Sequence, residues 1–165
     1  MRFTIDEDAA VAPGAALAAY GHPAFYEGRA PKDNISVVEV VTHSDDGDRI
    51  LMEVRFRFSG PLSSAVRAVI DPNKMTWITR TEISVPQRVS NWQVLPDHYP
   101  DRLKGSGTYT FKDGSDGPDS SVVTLAGELK VRVPLVGGTV ERVIVNGLKS
   151  YFSAEVQGLP EVAPG

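Results

Sequence analysis

The sequence predicts an α+β fold in which a curved antiparallel sheet wraps around a long C-terminal helix, and three observations carry that prediction. Residues 49–58, RILMEVRFRF, alternate strictly: Ile50, Met52, Val54, Phe56 and Phe58 face one way, and Arg49, Glu53, Arg55 and Arg57 face the other. That is the pattern of a strand with one packed face and one wet face. Further runs rich in β-branched and aromatic residues are joined by short polar connections, as in an antiparallel sheet. The chain then closes on VPLVGGTVERVIVNGLKSYF, whose apolar residues recur at helical period and can cover the apolar side of such a sheet.

Taken in order, RFTI (2–5) is a short strand with Phe3 and Ile5 on one face, and the acidic DED that follows is expected to turn the chain. PGAALAAY then starts a helix, with Pro13 pre-set for the first turn and alanines of high helix propensity. A short second helix is expected over 23–27, punctuated by Gly21 and Gly28. ISVVEVVTH is a strand, and SDDGD connects it to RILMEVRFRF, with Gly47 free to take the positive φ of a tight connection.

Beyond Gly60 and Pro61, LSSAVRAVI sets Leu62, Ala65, Val66 and Val69 at helical spacing, and Asp71 before Pro72 ends that helix. MTWITRTEISV resumes strand character with Met75, Trp77, Thr79, Thr81 and Ile83 on one face. Pro86 breaks the ladder before RVSNWQVL. LKGSGTYTF is the next strand, and its Gly105 and Gly107 share a face with Leu103, Tyr109 and Phe111. After the polar KDGSDGPDS, SVVTLAGELKVRVP points Val123, Leu125, Gly127, Leu129, Val131 and Val133 inward. The final helix sets Val140, Val143, Ile144, Gly147, Leu148, Tyr151, Phe152 and Glu155 on one broad face and ends near Leu159 and Pro160. A single domain over 1–160 and a flexible tail over 161–165 are expected.

Composition narrows the function classes. The 165 residues carry 17 Lys and Arg against 21 Asp and Glu, a net charge of −4 that supplies no overall electrostatic attraction for nucleic acid or an anionic membrane. Without cysteine there is no disulfide framework, thiolate nucleophile or thiolate metal site. The acidic N-terminal stretch does not read as a secretory signal, and no apolar run is long enough for a membrane span, so a soluble cytoplasmic protein is expected.

Motifs of catalysis are scarce. Gly137 and Gly138 could form a phosphate cradle or the break before the last helix; the absence of GxxxxGK[ST] favours the break, with Thr139 capping the helix and Glu141 meeting its positive end. His22, His43 and His98 are dispersed, PDHYPD reads as a surface turn, and no metal cluster is assigned. Glu53, Arg55, Arg57, Arg80, Glu82, Glu128, Lys130 and Arg132 fall on outward positions, so no carboxylate pair is assigned as acid and base. Gly105, Gly107 and Gly127 permit bending of the sheet or withhold volume beside the last helix, and Gly147 poses the same question inside that helix.

On RFTIDEDA, the strand series with its LSSAVRAVI insertion, ELKVRVPLVG and GGTVERVIVNGLKSYFSAEV, the chain resembles the START or Bet v 1-like (SRPBCC) superfamily, the helix-grip fold. Within it the chain is similar to an uncharacterised actinobacterial family of the DUF2505 type. The resemblance implies a cavity between sheet and last helix that takes lipids, polyketide-like aromatics or other hydrophobic small molecules. Val54, Phe56, Trp77, Trp92, Tyr109, Leu125, Val143, Gly147, Leu148 and Tyr151 are the candidate ligand-binding residues. Noncovalent binding for carriage, sequestration or sensing is the first expectation, with no cofactor. A cyclase or hydrolase acting on a hydrophobic substrate is the second, and a structural or protein-interaction domain without a ligand is the third. The apolar stripe of the 62–70 segment is suited equally to mediating pairing and to closing one end of the sheet, and a homodimer is left as an open alternative.

Overall fold

The structure is a computed structural model that describes residues 1–163. Seven antiparallel strands form one sheet in the order β1-β7-β6-β5-β4-β3-β2, and the sheet curves around a long C-terminal helix, the helix-grip fold. The strands are β1 (Arg2–Ala9), β2 (Ile35–Asp45), β3 (Arg49–Phe58), β4 (Thr76–Ser84), β5 (Val89–Pro96), β6 (Leu103–Asp113) and β7 (Ser121–Val131). The helices are α1 (Pro13–Tyr20), α2 (Ser64–Arg67), α3 (Gly137–Gln157) and α4 (Leu159–Val162), with 3-10 turns at Pro23–Phe25 and Pro72–Lys74.

Several elements differ from the sequence reading, each for a physical reason. The DED stretch does not turn: β1 continues to Ala9 because Asp6, Glu7 and Asp8 pair with Thr124, Val123 and Val122 of β7, and Asp6 and Asp8 fall on the exposed face. The expected 62–70 helix is one turn, capped by the Ser63 hydroxyl, which accepts from the Val66 amide at 3.3 Å; Val66 and Ile70 are buried, but Val69 is exposed. The outer edge strand β2 slips register between Val37 and Glu39 and between Val40 and Thr42, which leaves Val38 and Val41 exposed. Bulges of this kind bend an edge strand and interrupt its ladder. At the other terminus Glu161 and Val162 lie in a short helical turn, and residues 164 and 165 of the expected tail lie outside the described residues.

The break between β7 and α3 also moves. It lies at Leu135, whose φ is 68°, and Gly137 and Gly138 are the first residues of the helix. A Cβ on Gly137 would stand 2.6 Å from the carbonyl oxygen of Val131, so this glycine permits close approach of helix and strand. Thr139 does not cap the helix, whose N-cap is Val136. The Glu141 carboxylate reaches back to accept from the Val131 amide at 2.9 Å, and that bond holds its carboxyl below the ordinary range.

The outward charges pair with one another across the sheet. Arg55 bonds Asp97 at 2.9 Å and also meets Glu39, while Arg80 lies 3.5 Å from Glu53 and 3.4 Å from Glu82. Inside, α3 packs most closely on β1 and β7 at one side of the curved sheet. The main core joins α1, the sheet and the C-terminal half of α3 through Tyr20, Met52, Ile83, Leu125, Phe152 and Val156, and a smaller cluster beside α2 holds Val66, Ile70, Val131 and Val133. That one-sided seating leaves the space between α3 and strands β3–β6 unfilled.

Candidate functional site

The unfilled space is a cavity of about 380 Å³. Its sheet wall carries Val54 and Phe56 from β3, Trp77 from β4, Trp92 from β5, Tyr109 from β6 and Leu125 from β7; its other wall carries Val143, Gly147, Leu148 and Tyr151 from α3. The structure therefore brings all ten sequence-predicted residues to one cavity. Their placement follows from the two periods: inward positions of adjacent strands stack in rows, and positions four or seven apart on α3 share a stripe. Val143 differs from the rest, being 59% exposed, and sits at the solvent-facing side of the lining.

The glycines divide into two kinds. A Cβ on Gly127 would meet Trp92 Cζ2 at 2.4 Å, and one on Gly105 would meet the Leu129 side chain at 2.7 Å and Trp92 Cζ3 at 3.5 Å. Gly107 is paired with Gly127 on one side and Trp92 on the other. Gly105 and Gly127 form a seat for the Trp92 indole, which also stacks on Phe3 with centroids 6.2 Å apart, whereas Gly107 allows close approach of the Ala126 and Gly127 backbone. Gly147 is different: a Cβ there would meet nothing within 4 Å. Its missing side chain leaves open space on the cavity wall.

The inner aromatic wall is ordered by ring contacts. Phe56 stacks on Trp77 at 5.8 Å and meets Tyr151 edge-on at 6.3 Å, and the Trp77 indole donates to the Thr79 hydroxyl at 3.2 Å. Tyr109 packs between Tyr20 at 5.2 Å and Phe152 at 6.1 Å. Among the described residues the Trp92 indole nitrogen and the Tyr20 hydroxyl are sealed from solvent and make no hydrogen bond, the Tyr20 hydroxyl lying close to Glu155.

Sequence reasoning missed the polar end of this cavity. Arg29, from the loop after α1, forms an ion pair with Glu155 of α3, with side chains only 18% and 6% exposed. The same guanidinium donates to the Tyr151 hydroxyl at 2.8 Å and to the Phe25 carbonyl at 2.7 and 3.2 Å, and lies 4.2 Å from the Phe25 ring centroid. The Tyr26 hydroxyl donates to the Tyr20 carbonyl at 3.1 Å. Glu155 offered a signal: it stands one turn after Tyr151 on the apolar stripe, where an acid needs a partner. Arg29 offered none, since only the folded loop brings it there.

Burial and the neighbouring Glu155 charge push the Tyr20, Tyr26 and Tyr109 phenols well up, and push Tyr151 up to about 12. Burial alone would lower Arg29, but Glu155 outweighs it and keeps the guanidinium firmly charged. The cavity thus presents apolar walls and, at one end, neutral phenols around a closed ion pair. His22, His43 and His98 are not gathered: His22 Nδ1 accepts from the Ala24 amide at 3.1 Å, His43 Nε2 lies 3.0 Å from the Gly21 carbonyl, and His98 is at the exposed rim.

The match to known sequences covers nearly the whole chain: residues 4–159 fit the family described as "Protein of unknown function (DUF2505)". The chain belongs to the DUF2505 family. No functionally curated protein matches it. Among solved structures, this DUF2505 chain is similar to norcoclaurine synthase from Thalictrum flavum, with 16% identity, a TM-score of 0.63, and coverage of 98% of this chain and 86% of that one. It is similar to the Zhui aromatase/cyclase from a Streptomyces species, with 10% identity, a TM-score of 0.62, and coverage of 98% and 93%. A START superfamily protein from Mycobacterium smegmatis gives 12% identity, a TM-score of 0.57, and coverage of 94% and 96%. At these identities the likeness is one of fold: the DUF2505 chain shares the helix-grip architecture with them.

Proposed function

We propose that this DUF2505 protein binds an apolar or amphipathic small molecule noncovalently between the sheet and α3, for carriage, sequestration or sensing. The observation that carries this reading is the cavity of about 380 Å³ behind a continuous aromatic and aliphatic wall, with Gly147 leaving room on the helix side. Small-molecule sites typically run from about 300 to 1,000 Å³ and combine such walls with a few convergent polar groups. Releasing water from apolar surface is worth roughly 25 cal/mol per Å², so a mostly hydrocarbon ligand can be held without ionic contacts. Native mass spectrometry of the copurified protein tests it: a retained small-molecule mass, lost on Gly147→Phe, supports binding. An empty protein that also takes up no fatty acid or polycyclic aromatic would end it.

A second reading, turnover of a hydrophobic substrate by cyclisation or hydrolysis, draws support from the Arg29, Glu155 and tyrosine cluster beside the cavity. It ranks second because Arg29 and Glu155 occupy each other, so Glu155 does not stand free as a base at this end of the cavity. Conversion of a bound compound to a new mass would promote it. We propose a cytoplasmic setting for the binding; among the described residues no helix is long and apolar enough to cross a membrane. The same mass spectrum reads whether two copies pair.

A further inference from the structure

We propose that the Tyr109 and Tyr151 hydroxyls anchor the polar end of the cavity's ligand, and that this end is a neutral oxygen acceptor, such as a ketone, quinone or ester carbonyl, and not a carboxylate. The proposal rests on the binding reading above and adds the chemical class of the ligand.

Both hydroxyls are free to donate. The Tyr151 oxygen accepts from Arg29 at 2.8 Å, which fixes the phenol in place while its own O–H proton has no acceptor among the described residues. Tyr109 lines the cavity from β6, half-buried, and its hydroxyl has no hydrogen-bond partner among the described residues. It is not one of the sealed polar atoms, unlike the Tyr20 hydroxyl behind it. A phenol that faces an apolar cavity with its O–H proton unclaimed is a ready donor to a ligand oxygen, and the bond it makes there is a net gain. Tyr109 and Tyr151 lie on opposite walls, sheet and helix, so one oxygen between them is approached from two sides.

Charge decides which oxygen. Arg29 is the cation at this end, and it is fully engaged by Glu155, the Tyr151 oxygen and the Phe25 carbonyl. A ligand carboxylate here would meet no free positive charge and would stand beside the Glu155 carboxylate, a like-charge contact in a poorly solvated site. Lys74, His98 and Arg102 line the cavity only beside α2 and the 97–102 loop, and Arg102 already donates to the Val69 carbonyl. Burial and Glu155 together hold Tyr109 and Tyr151 protonated, so both remain donors at neutral pH. Two neutral donors with no free cation suit a carbonyl.

The test compares three probes of matched shape by titration calorimetry: acetylnaphthalene, ethylnaphthalene and naphthoate. The expected order has the ketone binding about tenfold more tightly than the hydrocarbon, the effect of one to two net hydrogen bonds, with naphthoate weakest. Tyr109→Phe, whose hydroxyl has no protein partner to lose, should remove much of the ketone's advantage and leave ethylnaphthalene unchanged. Tyr151→Phe should act in the same direction. Equal binding of ketone and hydrocarbon, or an advantage that survives Tyr109→Phe, overturns the anchor while leaving cavity binding intact. Tightest binding of naphthoate overturns the neutral-oxygen class. Failure of all three to bind overturns the cavity reading itself.

Discussion

Arg29 and Glu155, 126 residues apart in the chain, form a largely buried ion pair that ties the loop after α1 to the C-terminal half of α3. Removing one partner of such a pair strands the other charge and typically costs about 3–5 kcal/mol, whereas replacing both by apolar residues of similar volume is far milder. Urea denaturation of Arg29→Met, Glu155→Leu and the double variant should show each single change destabilising by roughly 3 kcal/mol and the double by much less than the sum. Additive losses would mean that the two charges do not depend on each other.

Gly147 separates helix stability from cavity function. Because a Cβ there meets nothing within 4 Å, Gly147→Ala should stabilise the fold by up to about 1 kcal/mol, the helix-propensity difference between the two residues. Gly147→Leu should keep the fold and weaken ligand retention by occupying the open space. Thermal unfolding and ligand titration of both variants read the two effects apart.

Gly127 should behave in the opposite way. An added methyl would collide with Trp92 Cζ2 at 2.4 Å and with the Ser106 carbonyl oxygen at 2.5 Å, and a backbone oxygen in a paired strand cannot move aside. Gly127→Ala is expected to cost about 1–3 kcal/mol through overpacking and to change the Trp92 fluorescence. In a Trp92→Leu background, which empties the indole seat, the penalty should shrink; an unchanged penalty would assign it to the strand backbone alone.

Alkaline titration checks the phenol environment. In the folded chain Tyr20, Tyr26, Tyr109 and Tyr151 are all raised, Tyr151 to about 12, first by burial and then by Glu155. An acid raised on folding keeps its proton in the native state after the unfolded chain has lost it. Stability is therefore complete below the unfolded value near 10 and falls as pH rises from about 10 towards 12. Tyrosinate absorbance should appear together with unfolding over that window, and Tyr151→Phe should make the decline shallower.

The periodicities of the sequence carried most of the fold because they are local. Alternation in RILMEVRFRF placed Val54 and Phe56 on the inner face without any knowledge of neighbours, and the 3.6-residue recurrence after Gly138 placed Gly147, Leu148 and Tyr151 on the inner stripe of α3. Where pairing overrides local preference, the reading failed: the acidic DED stays in β1 because β7 offers it a full ladder, and the chain turns at Leu135 while Gly137 lies in the first turn of α3, where the helix passes close to Val131. A side chain with an available distant partner also ignores its local role, as Glu141 does in bonding the Val131 amide.

The sequence by itself determined the helix-grip architecture and the apolar composition of the cavity walls, since strand alternation and helical period decide which face each residue shows. Only the tertiary structure decided what stands at the cavity's polar end. Arg29 lies in a loop with no period to read, and Glu155 is a single acid on an apolar stripe; their pairing depends on the curvature of the sheet and the seating of α3 against β1 and β7. Long-range closure of that kind sets which charges are satisfied and which hydroxyls remain free, and neither follows from the order of residues along the chain.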